Sequence, residues 1–545
     1  MADRTEFKVI GKWHIPSKPS YSVITGSAKY SGEVVYPDTL YGDIVRSPYA
    51  RARIKSMDVS AARALPGVKA VITWDDEELV NYNSSLINQP SAILPNEGRH
   101  ERSECAAAVA AETPEICEEA IKLIADSIEW EELTHILDPR EAAKDGATLL
   151  NPDVNSDNNI GGVDDFEKGN IEDGFAASDD TIEFDVSWQT TGFLKSRNRV
   201  CTARWENESG GNEGASLFYD GYLRFVKSTG MAAFGLPDHK VHPASVLEGS
   251  LFCEHGGGAA FIIAPILAKR TGRHVVMMHS RQNMFGWSGS GNAYVNLKVG
   301  YDNDGTINAV YMKAICSQGS IGHFNTVRLG DSLRTLKCPN IKYEIRVVYT
   351  NTAKACMDRG IPYRASALAA VIARVADALD MDPTEVALKN CHTPEPSLKA
   401  CIEAGKAALN WLWHPAGAKT LPNGKKHGYG FRYNPNPQWG GVTHVGLFLK
   451  NDGIIYMPNT ECIRGTWSPE TCAMIVAEET GASPEKVLTV QETNILPFAL
   501  SSYGGLTGNF SYGSYQAALQ LKAKIFAAAA AKLGVTEDEL EAADS

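Results

Sequence analysis

Arg359, Glu254 and eleven cysteines are the side chains of this chain whose type and setting suit chemistry. Arg359 stands with Gly360 directly ahead of a long amphipathic run that ends at Asn390. A guanidinium stays charged and donates paired hydrogen bonds, so it suits the orientation of a carbonyl or enolate oxygen; the plain alternative is a salt bridge beneath the helix. Glu254 lies in Cys253-Glu254-His255-Gly256-Gly257-Gly258. A carboxylate there suits general-base work or a hydrogen bond to substrate, with an ordinary surface or capping acid as the alternative. The three metal-capable neighbours make a poor chelate for zinc, because consecutive side chains point in different directions. The triple glycine is not followed by lysine, so it does not read as a phosphate-cradling loop. Among the cysteines there is no CxxC. Iron–sulfur clusters need several thiolates at defined spacing, which places any such cluster on another polypeptide. Cys391 with Cys401, and Cys462 with Cys472, each enclose nine residues and read as buried, reduced thiols.

The elements that must hold these residues follow from composition and pattern. At 545 residues the chain exceeds one packed unit, since single cores stop growing at roughly 250–300 residues. Its 43 % hydrophobic and 21 % charged content is that of a globular protein. A net charge of −13 argues against a nucleic-acid partner. No run approaches the roughly 18 apolar residues that span a membrane, so no membrane partner is expected. The opening MADRTEFKVIGKW lacks an apolar signal core, which predicts a cytoplasmic location.

Residues 1–150 read as an α+β domain, with strand-like runs GDIVRS, ARIKSMD, VKAVITW and AAAVAAE and a helix from Thr113 to Ile128 opened by Thr-Pro. NPDVNSDNNIGGVDDFEKGN, within a segment placed at 151–180, has the composition of a surface linker. The portion 181–415 contains TIEFDVSW, a helix after Leu223 and FIIAPILAKRTGRHVVMMHS, an apolar helix followed by a strand. The portion 416–545 predicts a hairpin turning at Asn451-Asp452-Gly453, a helix from Pro469 to Gly481, a strand at KVLTVQET and an alanine-rich helix from Tyr515 to Leu533 closed by Gly534.

The run RGIPYRASALAAVIARVADALDMDPTEVALKN resembles a segment of the molybdenum hydroxylases, the family of xanthine dehydrogenase and aldehyde oxidase. There an RGFG-like turn leads into a helix ending GxDPxExRxxN, and Arg359, Gly360, Asp382, Pro383, Glu385 and Asn390 fit that pattern. The stretch from Thr25 to Thr73 resembles the family's opening domain through Arg46-Ser47-Pro48, Ala50, Arg53-Ile54, Asp58 and Leu65-Pro66-Gly67-Val68. Ser103-Glu104-Cys105 before AAAVAAET, and GYDNDGTINAV at 300–310, extend the resemblance, which runs to about Val535.

The resemblance implies an α+β chain: an a/b hammerhead-type N-terminal domain, then a molybdopterin-binding domain that lacks its last portion. It implies a molybdopterin carrying molybdenum or tungsten. Arg359 and Glu254 would act on substrate, and Gly249, Phe252, Gly360, Arg464, Gly465, Gly504 and Gly505 would line the cofactor. The chain departs from the family where GGGFGGKE is usual, having Leu247-Glu248-Gly249-Ser250-Leu251-Phe252-Cys253-Glu254; a small shift puts Phe252 on the family's phenylalanine. It has Thr460-Glu461-Cys462-Ile463-Arg464-Gly465 in place of TDMGQG, Tyr219-Asp220-Gly221 in the region of Ser-Thr-Gln, and no GxGE. Implied partners are an iron–sulfur subunit, a subunit carrying the C-terminal molybdopterin-domain portion and, as a further member, an FAD subunit. The expected function is a subunit that, with water, hydroxylates a small carbonyl, cyclic or heteroaromatic compound, or hydrates or dehydrogenates one. The alternative is a catalytically silent scaffold completing a partner molybdenum subunit.

Overall fold

The computed structural model describes all residues except 1–5, 13–17, 31, 77–78, 80–93, 153, 190, 193–197, 199, 207–215, 221–229, 244–246, 248–258, 321–328, 356–360, 393–396, 415–418, 433–442, 460–467, 492–505 and 543–545. Strands β1 (Leu40–Arg46), β2 (Val68–Thr73) and β3 (Glu104–Ala111) form where the sequence runs apolar. β3 reads ECAAAVAA because both of its faces are covered. Ala108 and Ala110 join one core, while Ala107, Val109 and Ala111 join another. The second core is closed by α1 (Pro114–Ser127), which buries Cys117, Ala120 and Ile124. Thr113 caps α1 by accepting the Ile116 N–H at 3.2 Å, and Pro114 occupies a first-turn position that needs no N–H. This helix matches the sequence expectation at both ends.

Next come β4 (Ile160–Lys168), β5 (Asp180–Trp188), β6 (Val200–Glu206), β7 (Ser216–Asp220), β8 (Val241–Pro243), α2 (Ala260–Thr271) and β9 (Val275–Met278). Seven of these strands build one sheet in the order β8-β7-β6-β9-β1-β3-β2. The seam is the parallel pairing of β1 with β9, Leu40 beside Val275. α2 is buried from Ala260 through Ala268. A helix apolar all round belongs inside a protein, and α2 fills the core on the sheet face opposite α1.

β10 (Ala293–Tyr301), β11 (Ile307–Gly319) and β12 (Asn340–Tyr349) complete a second sheet, ordered β4-β12-β11-β10-β5. Its inner face is covered by α3 (Ile361–Leu379) and α4 (Pro383–Asn390) through Leu368, Val371, Ile372, Val375 and Val386. The stretch expected as a linker corrects here: Ile160–Lys168 is an edge strand on β12. Asp165 and Glu167 face outward with Val163 while Phe166 stacks on Tyr343 at 5.2 Å, so the composition of a solvated edge resembled that of a loop. The single long helix expected up to Asn390 is two. Asp380 adopts φ 54° and Asp382-Pro383 starts a new helix.

α5 (Ser397–Ala408) leads to the last unit, formed by β13 (Phe448–Leu449), β14 (Ile455–Asn459), α6 (Ser468–Thr480), β15 (Val487–Gln491) and α7 (Leu506–Leu533). The hairpin turns at Gly453, φ 81°, as expected. α7 starts at Leu506 rather than Tyr515. Gly513 lowers helix propensity, but a Cβ there would lie 3.0 Å from Val445 Cγ2, so packing accepts the glycine. The N-terminal stretch is tied to this unit: Lys8, Val9 and Ile10 donate backbone N–H groups to the Glu478 carboxylate at 3.1, 2.6 and 3.2 Å. Among the described residues no helix is long and apolar enough to cross a membrane.

Candidate active site

Strands β8, β7, β9, β1 and β2 run one way, β6 and β3 the other. Pro243, Asp220, Met278, Arg46 and Thr73 therefore end at one sheet edge, where Val200 and Glu104 begin. The chain leaves this edge from β7 into residues 221–229 and from β8 into 244–258, the segment of Gly249, Phe252 and Glu254. Open α/β sheets bind ligands outside such strand ends. Leu247, inside the second segment, is held by Tyr30 in a parallel bridge and donates its N–H to the Lys29 carbonyl at 3.1 Å.

A buried charge network lies on the same edge. Arg46 is 2.8 Å from Asp43 and 3.9 Å from Glu104, and Glu104 is 2.9 Å from His279 Nε2. The side chains of Glu104 and His279 are only 6 % and 3 % exposed. Burial opposes the charge of Arg46, yet Asp43 and Glu104 outweigh it and hold the guanidinium pKa above its ordinary value. Two carboxylates against one guanidinium leave a negative charge that protonated His279 would cancel. The neighbouring Cys105 thiol is pushed up to about 12 by burial and is no nucleophile.

Tyr219, the penultimate residue of β7, fixes the start of α2. Pro265 lies inside α2 and has no N–H, so the Phe261 carbonyl four residues earlier lacks its helical donor. The Tyr219 hydroxyl donates to that carbonyl. The end region of β7 and the start of α2 are thus joined by one buried bond. Tyr219→Phe is expected to cost about 1–3 kcal/mol through the orphaned carbonyl, read as a lower thermal midpoint with unchanged secondary structure by circular dichroism.

A second polar seam holds the start of residues 321–328. His100 Nδ1 is 2.6 Å from Ser320 Oγ, Asn151 donates to the Ser320 carbonyl at 2.9 Å, and Asn351 donates to the Arg99 carbonyl at 2.8 Å. Of the residues fitting the helix pattern, Asp382 and Asn390 prove to be clamps. Asn390 bonds the Gly305 carbonyl at 2.8 Å and accepts the Ile307 N–H at 2.9 Å, fixing α4 to the β10–β11 turn. Asp382 accepts from Thr384 N at 2.9 Å, and from Lys406 and Trp411, both at 2.9 Å. Burial raises its pKa, but these bonds outweigh burial and hold it below the usual carboxylate range. A depressed carboxylate stabilises above its unfolded pKa and ceases to do so as pH falls through the folded value. Asp382→Ala is therefore expected to lose about 0.5–2 kcal/mol of capping at neutral pH. The gap from wild type should close below pH 3.8, the ordinary value, in unfolding measured against pH.

Arg359, Glu254, Gly249, Phe252, Gly360, Arg464, Gly465, Gly504 and Gly505 lie outside the described residues, as does Cys253-Glu254-His255. Seven of the eight described cysteines are buried and none of the eight forms a disulfide, but Cys401, expected to be buried, is exposed on the solvent side of α5. Among the described residues no group of three ligands could hold a metal ion. A hollow of about 570 Å³ on the open face of the five-stranded sheet, lined by Arg140, Tyr294, Lys313 and Arg346, lies on the alternating charged residues of a solvated face rather than at the sheet edge. Sequence reasoning missed Tyr219's anchoring role, His279 and Ser320. A proline within an apolar helical run was the available signal for the first, since it calls for an outside donor.

Buried polar atoms without a hydrogen-bond partner offer a test for a bound cofactor. Thr443 Oγ1 follows 433–442, and Asn509 Nδ2 sits in the first turn of α7 after 492–505. Asn509 lies one turn before Gly513, whose Cβ position is 3.5 Å from Thr443 Cγ2. An amide and a hydroxyl beside the N-terminus of a long helix fit the polar, phosphate-bearing side of a pterin cofactor.

Comparison with known proteins agrees with this fold. The profile of the molybdopterin cofactor-binding domain matches residues 152–391, and that of the aldehyde oxidase and xanthine dehydrogenase a/b hammerhead domain matches 25–134. A probable xanthine dehydrogenase component of Bacillus subtilis is 28 % identical over 68 % of this chain and 49 % of its own length. The nicotinate dehydrogenase large molybdopterin subunit of Eubacterium barkeri is 26 % identical over 71 % of this chain and 90 % of its own. The xanthine dehydrogenase molybdenum-binding subunit of Escherichia coli is 25 % identical over 94 % and 72 %. In fold, the chain is similar to CO dehydrogenase from Oligotropha carboxidovorans, with a TM-score of 0.80 at 20 % identity over 96 % of this chain and 72 % of that one. It is also similar to quinoline 2-oxidoreductase from Pseudomonas putida, with 0.81 at 18 % over 99 % and 74 %.

Proposed function

Since this chain belongs to the xanthine dehydrogenase family of molybdopterin-dependent oxidoreductases, we propose that it is the cofactor-binding part of a heteromeric enzyme acting, with water, on a small heteroaromatic, cyclic or carbonyl compound. The observation that carries the reading is the molybdopterin cofactor-binding match across 152–391, which includes both Glu254 and Arg359. Relatives named for nicotinate and xanthine, both nitrogen heterocycles, favour a heteroaromatic substrate. Relatives named as a subunit or a large chain support partners. Without a CxxC in this chain, iron–sulfur clusters would reside on one partner and FAD on another. Apolar surface on the last unit also supports a heteromeric assembly: Phe448, Leu449 and Leu488 on the small sheet, Tyr512 and Leu533 on α7, all 40–68 % exposed.

In this reading Gly249, Phe252, Gly360, Arg464, Gly465, Gly504 and Gly505 hold the cofactor. When bound, it supplies the two-electron redox step and the oxygen chemistry. Arg359 binds the substrate through the oxygen on which charge grows, a role common to hydroxylation, hydration and dehydrogenation. Glu254 takes up the proton released at the reacting centre. The Tyr219 hydroxyl fixes the start of α2, the element that follows the Glu254 segment in sequence.

The test is elemental analysis with native mass spectrometry on the protein and whatever co-purifies. About one molybdenum or tungsten per assembly, with this chain in contact with pterin, is the expected result. A metal-free chain bound to an independently complete molybdenum subunit would overturn it and make this chain a scaffold.

A further inference from the structure

Residues 404–451 contain no Asp or Glu and six Lys or Arg, in a chain of net charge −13. Part of this stretch folds as a compact platform after α5. Trp411 and Tyr429 have ring centroids 4.5 Å apart, the Tyr429 hydroxyl donates to the Asn410 carbonyl at 3.2 Å, and His414 Nε2 is 3.2 Å from His427 Nδ1. A short hairpin pairs Lys419 with His427 and Thr420 with Lys426, which sets Lys425 and Lys426 beside the ring cluster. Trp411 and Lys406 bond Asp382, so the platform is fixed to α4 and that acid is already neutralised. Facing outward are Leu409, 62 % exposed, and Leu412, 69 % exposed, with Lys425 and Lys426 also exposed.

A solvated loop has no need of a braced base beneath two bare leucines. An acidic partner is repelled by most of this acidic chain and attracted to this patch. We infer that the platform docks an acidic face of another subunit of the assembly, the leucines entering an apolar recess and the lysines meeting carboxylates at its rim. This rests on the heteromeric reading above. An anionic bilayer is the lesser fit, because the ring cluster is packed on itself and on Asp382, leaving two leucines and a few lysines for a surface that holds such short contacts weakly.

The experiment is native mass spectrometry of the co-purified assembly, wild type against Lys425→Glu/Lys426→Glu and Leu409→Glu/Leu412→Glu. Each double variant is expected to keep its thermal midpoint and lose one particular subunit, retained about tenfold or more weakly. Salt should release the same subunit from wild type. Retention of every subunit by both variants overturns the inference. So does an intact variant assembly that has lost only a wild-type affinity for phosphatidylglycerol vesicles. A wild-type chain that purifies alone is a different failure, that of the heteromeric reading itself, and the inference goes with it.

Discussion

Arg359→Ala is expected to lower turnover by about 10²–10³ while the assembly and its metal content stay intact. A guanidinium facing the oxygen on which charge develops is fixed before the reaction begins, so its stabilisation costs no reorganisation at the moment of reaction. In a site closed to water that advantage is far larger than in solvent. Arg359→Lys keeps the charge but lacks the planar fork, and should recover only part of the loss. If the residue acts mainly in the transition state, kcat and kcat/KM fall together; if it also binds the resting substrate, KM rises as well. Steady-state kinetics on the metal-loaded assembly decide it. Unchanged turnover would remove Arg359 from the site.

Glu104→Ala carries the largest expected stability effect, about 3–5 kcal/mol. Arg46 and His279 would remain buried beside an empty position, with Asp43 as the carboxylate left to Arg46. Glu104 belongs to β3 and His279 follows β9, so the pair crosses the seam between the segments matching the two family profiles. Chemical denaturation should show the loss at neutral pH. A change within about 0.5 kcal/mol, as for a surface substitution, would mean that the charges are solvated and the network contributes nothing.

Local signals made much of the fold legible. Thr113-Pro114 and the apolar spacing of Cys117, Ala120 and Ile124 specify α1, and Asn451-Asp452-Gly453 specifies its hairpin turn. Signals that depend on distant neighbours were not. Nothing local in GGVDDFEK distinguishes an edge strand from a loop, since half its residues face water and its pairing partner β12 lies far along the chain. The same holds for the β1–β9 seam. The family motifs at 219–221 and 247–254 fall on chain that leaves one end of the seven-stranded sheet, and Tyr219 and Leu247 are among their described members. In α4 the motif is structural: Asp382 and Asn390 fit the pattern as hydrogen-bonding bolts. Residues whose roles depend on chain outside the described elements, Arg359 and Glu254 above all, are specified by resemblance and not by visible contacts.

The pairing of Leu40 with Val275 also sets an order of events during synthesis. At about 5–20 residues per second, β9 emerges roughly 10–50 s after β1. Throughout that interval β1 is a sheet border with its backbone groups unsatisfied, open to wrong strands and to other nascent chains. The hammerhead segment cannot reach its final form on the ribosome by itself. Slow maturation is the expected consequence of that topology, before any cofactor is inserted.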